Sequence, residues 1–273
     1  MFVTEKLIYL QLQKTGCTHI ARLLDKYVGG EQVGKHNFLP SELIGQKYLV
    51  GSIRNPWDWY VSQWAFGSEA RGGLNQRVTS RNLENIKCLP VKRRKSRIVK
   101  ASVKEATKPT KMWEKVYGDK NNPELFRQWL RLIFDPKRRY DMGEGYGFSS
   151  VSAFAGILTY RYMFINYDNQ QMNLIFDTNE INNINKLVEF DSKANLLNGI
   201  IRNENLEEDF ISTLEEVGYE LTTAQKQEIY ATKKTNASKH RSSNFYYDAE
   251  TIDLVGQREK LIIDKYNYQS PKI

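Results

Sequence analysis

The sequence predicts an α/β fold: a parallel sheet flanked by helices, with a mostly helical and loop insertion in the middle of the chain. Three observations carry this. Short apolar runs at residues 7–12, in "KYLVGSI" and at residues 200–201 are each followed by a polar turn and then by apolar residues at helical spacing. That alternation builds parallel sheets covered on both faces. Between the second and third runs, residues 67–147 hold a basic cluster, a lysine-rich stretch, the amphipathic "PELFRQWLRLIF" and the glycine-rich "DMGEGYGFSS". Finally, 273 residues with 40% hydrophobic and 26% charged content can bury a core without disulfide staples.

The first strand, "LIYLQL", breaks at Gln13-Lys14-Thr15-Gly16. The helix after it carries Ile20, Leu23, Leu24, Tyr27 and Val28, an i, i+3, i+4, i+7, i+8 stripe for a core. The second strand leads into "RNPWDWYVSQW", where Asn55 suits an N-cap and Pro56 the first helical position. The run "SAFAGILTYRYMFI" is apolar enough for a core helix. In "NGIIRNENLEEDFISTLEEVGYE", Ile200 and Ile201 read as a short strand, and Leu206, Phe210, Leu214 and Val217 as a helical stripe closed by Gly218. At the C-terminal end, Ile252, Val255, Leu261 and Ile262 recur at roughly helical spacing.

The formal net charge is +8, which favours anionic ligands without choosing among them. The two cysteines, Cys17 and Cys88, imply no disulfide framework and point to a reducing compartment. The start "MFVTEKLIYLQLQ" lacks the long apolar run of a signal peptide, and no stretch approaches the roughly 20 apolar residues of a membrane span. A soluble, cytoplasmic protein is the expectation.

Ligands of open parallel sheets bind beyond the carboxyl ends of the strands, where the polar turns fall. A helix N-terminus there carries unpaired N–H groups and about half a positive charge. Gly16 lets the backbone approach a ligand, Lys14 adds a full charge, and Thr15 and Thr18 add donors. A plain turn is the competing reading. The G-x-x-x-x-G-K-[ST] loop of ATPases and GTPases is absent. After the second strand come Arg54 and, eight positions on, Ser62, a guanidinium fork and a hydroxyl suited to phosphate. Two anion sites at two strand ends predict a ligand with phosphates at both ends.

Here the chain resembles the sulfotransferases that use 3′-phosphoadenosine 5′-phosphosulfate (PAPS). "LQLQKTGCTHIARLL" is similar to their 5′-phosphosulfate loop, and "SIRNPWDWYVSQW" to their 3′-phosphate motif. "IIRNENLEEDF" resembles a strand and turn of the same superfamily, and "NASKHRSSNFYYDAETIDLVGQREKLIIDKYNY" the tail of its carbohydrate, 2-O-sulfotransferase-like branch. The resemblance implies a P-loop-like sheet in one sulfotransferase-like domain over residues 1–273, with the insertion at about 67–147 contributing to acceptor binding. It implies that Lys14, Thr15, Gly16, Cys17 and Thr18 hold the 5′-phosphosulfate and that Lys14 neutralises the bridging oxygen as the S–O bond breaks. Arg54 and Ser62 would hold the 3′-phosphate, and Lys239 and Arg241 would close over the nucleotide. The product is PAP, the acceptor a hydroxyl, most readily of a glycan. At Cys17 and His19 the loop departs from the small or hydroxyl residues usual in the family.

The same branch places a catalytic histidine shortly before its 3′-phosphate strand, and His36 in "VGKHNFLPSE" occupies that position. A neutral imidazole near pH 7 suits removal of a hydroxyl proton. Glu42 is the reserve base. His19 reads as a helix-start residue half in solvent, His240 as a tail residue near the nucleotide, and Glu204 as a structural carboxylate favoured by the helix dipole. Trp57, Trp59, Tyr60 and Trp64 read mainly as packing. No metal-ligand spacing is present. The cluster Lys92, Arg93, Arg94, Lys95 and Arg97 reads as a solvated basic face, with attraction of an anionic glycan as its functional alternative. It lacks the stacking aromatics or module that nucleic-acid binding requires. The competing functions are a P-loop-type nucleotide kinase, which needs Mg²⁺, and a non-catalytic polyanion-binding module.

Overall fold

The computed structural model describes residues 1–82, 95–176, 180–232 and 240–272. They divide into two compact units. The first comprises Met1–Asn55, Arg161–Met172 and Phe190–Ala237, the second Pro56–Tyr160, Asn173–Glu189 and Ser238–Ile273. Cys88, Lys92, Arg93, Arg94 and Lys239 lie outside the described residues.

The first unit is built on a five-stranded sheet of β1 (Phe2–Val3), β2 (Leu7–Tyr9), β3 (Glu31–Gln32), β4 (Tyr48–Ile53) and β5 (Gly199–Arg202), in the order β3-β1-β2-β4-β5. The three predicted strands β2, β4 and β5 are its parallel part, with Leu7 opposite Tyr48, Tyr9 opposite Val50, and Val50 opposite Gly199. The sheet as a whole is mixed rather than parallel. β1 pairs antiparallel with β2 and β3, Phe2 facing Tyr9 and Gln32. The link from Val3 to Leu7 is too short for a crossover, so the chain can only turn back on itself, closed by Thr4 N–H to the Leu7 carbonyl at 2.9 Å. β2 is also shorter than the apolar run that announced it. Its ladder ends one bond later, where Leu10 N–H reaches the Val50 carbonyl at 2.8 Å, although Leu10, Gln11 and Leu12 stay fully buried.

Helix α1 (Cys17–Val28) lays Ile20, Leu23 and Leu24 into a core shared with Leu206, Phe210 and Leu214 of the helix Leu206–Glu216 and with Val50 and Ile201 of the sheet. Each such aliphatic side chain contributes about 1.5–3 kcal/mol by leaving water. Past the end of Leu206–Glu216, Gly218 takes φ +82 and donates to the Glu215 carbonyl at 2.9 Å, while Tyr219 N–H returns to Leu214. Glycine closes the helix as its position predicts.

The second unit is helical and, among its described residues, carries no strand. Helix α2 (Pro56–Ser68) is buried on every side, with Trp57, Trp59, Tyr60 and Trp64 all at 4% exposure or less. Trp64 packs edge-on against Phe126 of the helix Pro123–Phe134, and its indole N–H donates to the Val116 carbonyl at 2.9 Å. The four aromatics are packing residues. The described residues within 67–147 include the helices Gly73–Thr79, Lys95–Ala106, Thr110–Val116 and Pro123–Phe134. In the tail, Asp248 and Thr251 form a capping box for the helix Ala249–Arg258. Glu259, fully buried, accepts the N–H groups of Leu158 and Thr159 at 3.3 and 2.9 Å and the hydroxyls of Thr159 and Tyr60. A carboxylate on the tail thus caps a helix a hundred residues earlier in the chain, and burial raises its pKa. Among the described residues no helix is long and apolar enough to cross a membrane, and no three His, Cys, Asp or Glu side chains are grouped as for a metal ion.

Candidate functional site

The parallel register brings three turns to one edge of the first unit's sheet. Counted from the pair Tyr9 and Val50, Gln13 and Arg54 each lie four residues further on, and neighbouring strands run about 4.8 Å apart. The turn after β5, Asn203–Asn205, completes the edge. Two contacts tie the turns together. The Asn55 N–H donates to Glu204 Oε1 at 2.7 Å. A Cβ on Gly16 would lie 2.7 Å from Leu206 Cδ1 and 2.9 Å from Asn203 Nδ2. Glu204 is therefore structural, as its position suggested, through a bond between strand ends as well as the helix dipole.

Backbone geometry shapes the turn after β2. Lys14 and Gly16 both have positive φ, +65 and +84. Gly16 is the N-cap of α1, with no side-chain capping bond and no acidic residue in the first turn, and its carbonyl receives the His19 and Ile20 N–H groups. Thr15 points inward instead of toward a ligand. It is fully buried, donates to the Leu12 carbonyl at 2.7 Å and lies 2.6 Å from Ser52 Oγ, which in turn is 2.7 Å from the Tyr9 hydroxyl. A hydroxyl has one proton to give, so the chain runs from Tyr9 through Ser52 and Thr15 to Leu12. Burial holds the Tyr9 pKa well above its ordinary value, which keeps that first proton in place. Thr15 thereby staples the turn to β4, and its hydroxyl is committed to the protein interior.

Charge gathers at the start of α1. Lys35 Nζ lies 2.9 Å from Thr18 Oγ1. Burial raises the Cys17 pKa, opposed by Lys35, by bonds to Thr18 and by Lys14, so Cys17 is a protonated, 7% exposed thiol. His36, at φ +58 and half-buried, places Nδ1 2.8 Å from the Gln11 carbonyl. Because a carbonyl only accepts, Nδ1 carries the proton and Nε2 the lone pair. Burial lowers the His36 pKa, and the charges of Lys35 and Arg161 lower it further against that carbonyl bond. The Gln11 side chain also pairs with Gln32, at the start of the loop that presents His36.

Structure differs from sequence expectation at His19. His19 is 2% exposed rather than half in solvent, its Nε2 3.9 Å from Glu207 Oε1. Glu42, the reserve base, sits exposed on the short turn Ser41–Leu43. Ser62 belongs to the second unit and is 1% exposed within α2. Also in that unit, Arg241 is exposed with its guanidinium 4.3 Å over the Phe245 ring, and His240 Nδ1 lies 2.7 Å from the Arg241 carbonyl. Lys14, Thr15, Gly16, Cys17, Thr18, His36 and Arg54 all belong to the first unit.

No protein-family model, curated protein or solved structure matches this chain. The site therefore rests on its own geometry.

Ser52, Lys35 and Arg161 were missed from sequence. Ser52 hides inside an apolar strand and announces nothing. Lys35 precedes a histidine in a glycine-flanked loop, and Arg161, 4% exposed, is the only charge in "SAFAGILTYRYMFI"; a charged residue in so apolar a run is itself a signal.

Proposed function

We propose that this chain is a PAPS-dependent sulfotransferase that moves a sulfuryl group to a hydroxyl, most readily of a carbohydrate. One observation carries the reading: the Lys14 turn and Arg54 end adjacent parallel strands, so two cationic groups serve opposite ends of one bisphosphorylated nucleotide. The acceptor oxygen attacks sulfur in line. An O–S bond forms, the S–O bond to the 5′-phosphate breaks, and PAP leaves with the electron pair. The acceptor proton goes to His36 Nε2, the nitrogen that the Gln11 carbonyl leaves basic. Lys14, the α1 N-terminus and Lys35 meet the charge on the leaving phosphate, and the reading calls for no metal. Arg54 is assigned the 3′-phosphate, the group that separates this donor from ATP. The helical insertion is assigned the acceptor.

The test is transfer of label from ³⁵S-PAPS to a glycan panel in the presence of EDTA. Lys14→Ala should lower the rate about 10²–10³-fold. His36→Ala should retain PAP binding and lose about 10²–10⁴-fold in transfer. Absence of both transfer and PAP binding would eliminate the reading, and ATP turnover that EDTA abolishes would replace it with a kinase.

A further inference from the structure

We propose that the helix Lys95–Ala106 docks this protein on an anionic lipid bilayer. Its outward side is built around Val99 and Val103, one helical turn apart and 63% and 55% exposed, with Ile98 at its border at 38%. The opposite side holds Ala101 and Glu105, both buried, and Glu105 is consumed by an ion pair with buried Lys108 at 2.7 Å. Lys100 and Lys104 flank the valines, each one residue on. Their ammonium groups lie 4.8 and 5.6 Å from the centre of the Tyr140 ring, which fixes them beside the apolar strip.

Charge supplies the second half. Residues 95–111 contain six lysines and arginines against one glutamate, a net +5 within a chain whose formal charge is +8. Since Lys108 neutralises Glu105, the other five cations have no acidic residue within the stretch.

Valine decides which polyanion. A glycan or nucleic-acid phosphate presents a hydrated surface on which exposed aliphatic groups gain nothing. At a bilayer the valines enter the acyl boundary while the lysine stems lie along it and keep their charges among the headgroups. Each basic residue near an anionic surface strengthens binding roughly fivefold. The helix lies on the membrane, and the activity proposed above would operate at that surface. The inference does not depend on the donor assignment, because none of these residues belongs to the Lys14 turn.

Sedimentation of the full chain with vesicles tests it. Phosphatidylserine–phosphatidylcholine vesicles should pellet the protein, in a salt-sensitive way, and phosphatidylcholine vesicles should not. Lys100→Gln with Lys104→Gln should weaken this about 30-fold. Val99→Ser with Val103→Ser should weaken it about tenfold while leaving retention on heparin unchanged. Both pairs are surface changes, and unaltered melting confirms that they fold. Absence of pelleting, equal pelleting with both vesicle types, or a valine variant that binds like the parent overturns the proposal. The last outcome would make the helix a general polyanion site.

Discussion

His36 shows how one side chain is prepared by its surroundings. Its left-handed backbone costs of order 1 kcal/mol, maintained by the Gln11 carbonyl on one ring nitrogen. Burial above all, and then the neighbouring cations, push its pKa below the ordinary histidine value. The proposed role of general base needs the neutral ring, so kcat/KM for the proposed sulfuryl transfer should fall on the acidic side with a midpoint below that of a free histidine. The stability sign agrees. The unfolded chain takes up the proton first, so stability is full above the unfolded histidine pKa and is lost as pH falls through the folded one. His36→Gln should flatten that acid-side loss in a denaturant titration; an unchanged slope would mean that another group governs it.

At the scale of elements, the strand–turn–helix unit of β2 and α1 depends on a close approach that only glycine permits. Gly16 and Gly218 share nearly the same positive φ, +84 and +82, so alanine meets similar backbone strain at both, about 1 kcal/mol. Their surroundings differ. A Cβ at Gly218 would meet only Lys6 Nζ, at 3.6 Å, whereas at Gly16 it would press on Leu206, which is fully buried, and on Asn203. Gly16→Ala should therefore cost about 2–4 kcal/mol in chemical denaturation and disrupt PAP binding, while Gly218→Ala should cost about 1 kcal/mol and spare it. Equal losses at the two sites would show that the β5 turn does not constrain the loop.

For the whole molecule, ligand linkage gives a test that needs no acceptor. A nucleotide held at 100 times its Kd stabilises the native state by about 2.7 kcal/mol. For a chain of this size that corresponds to a rise in Tm of roughly 5–10 °C. PAP should produce it, ADP much less of it, and Arg54→Ala should bring the PAP response down to the ADP level. A response to ADP as large as that to PAP would remove Arg54 from the 3′-phosphate.

The alternation of strands and helices, the glycine closure at Gly218, and the packing role of the tryptophans were legible in the sequence. Each follows from spacing, backbone freedom or side-chain chemistry within a few residues. The antiparallel β1 was not foreseen, because two residues carry no readable period. Nor were the burial of Thr15 against Ser52, the bond from Glu204 to Asn55, or the approach of Lys35 and Arg161 to the site. Those partners are separated by 37, 149, 17 and 125 positions along the chain, counted from Thr15, Asn55, Thr18 and His36. Local chemistry selects which residues face an edge. Only sheet register and the packing of distant segments decide which of them meet there, because those contacts form through space and leave no period in the sequence.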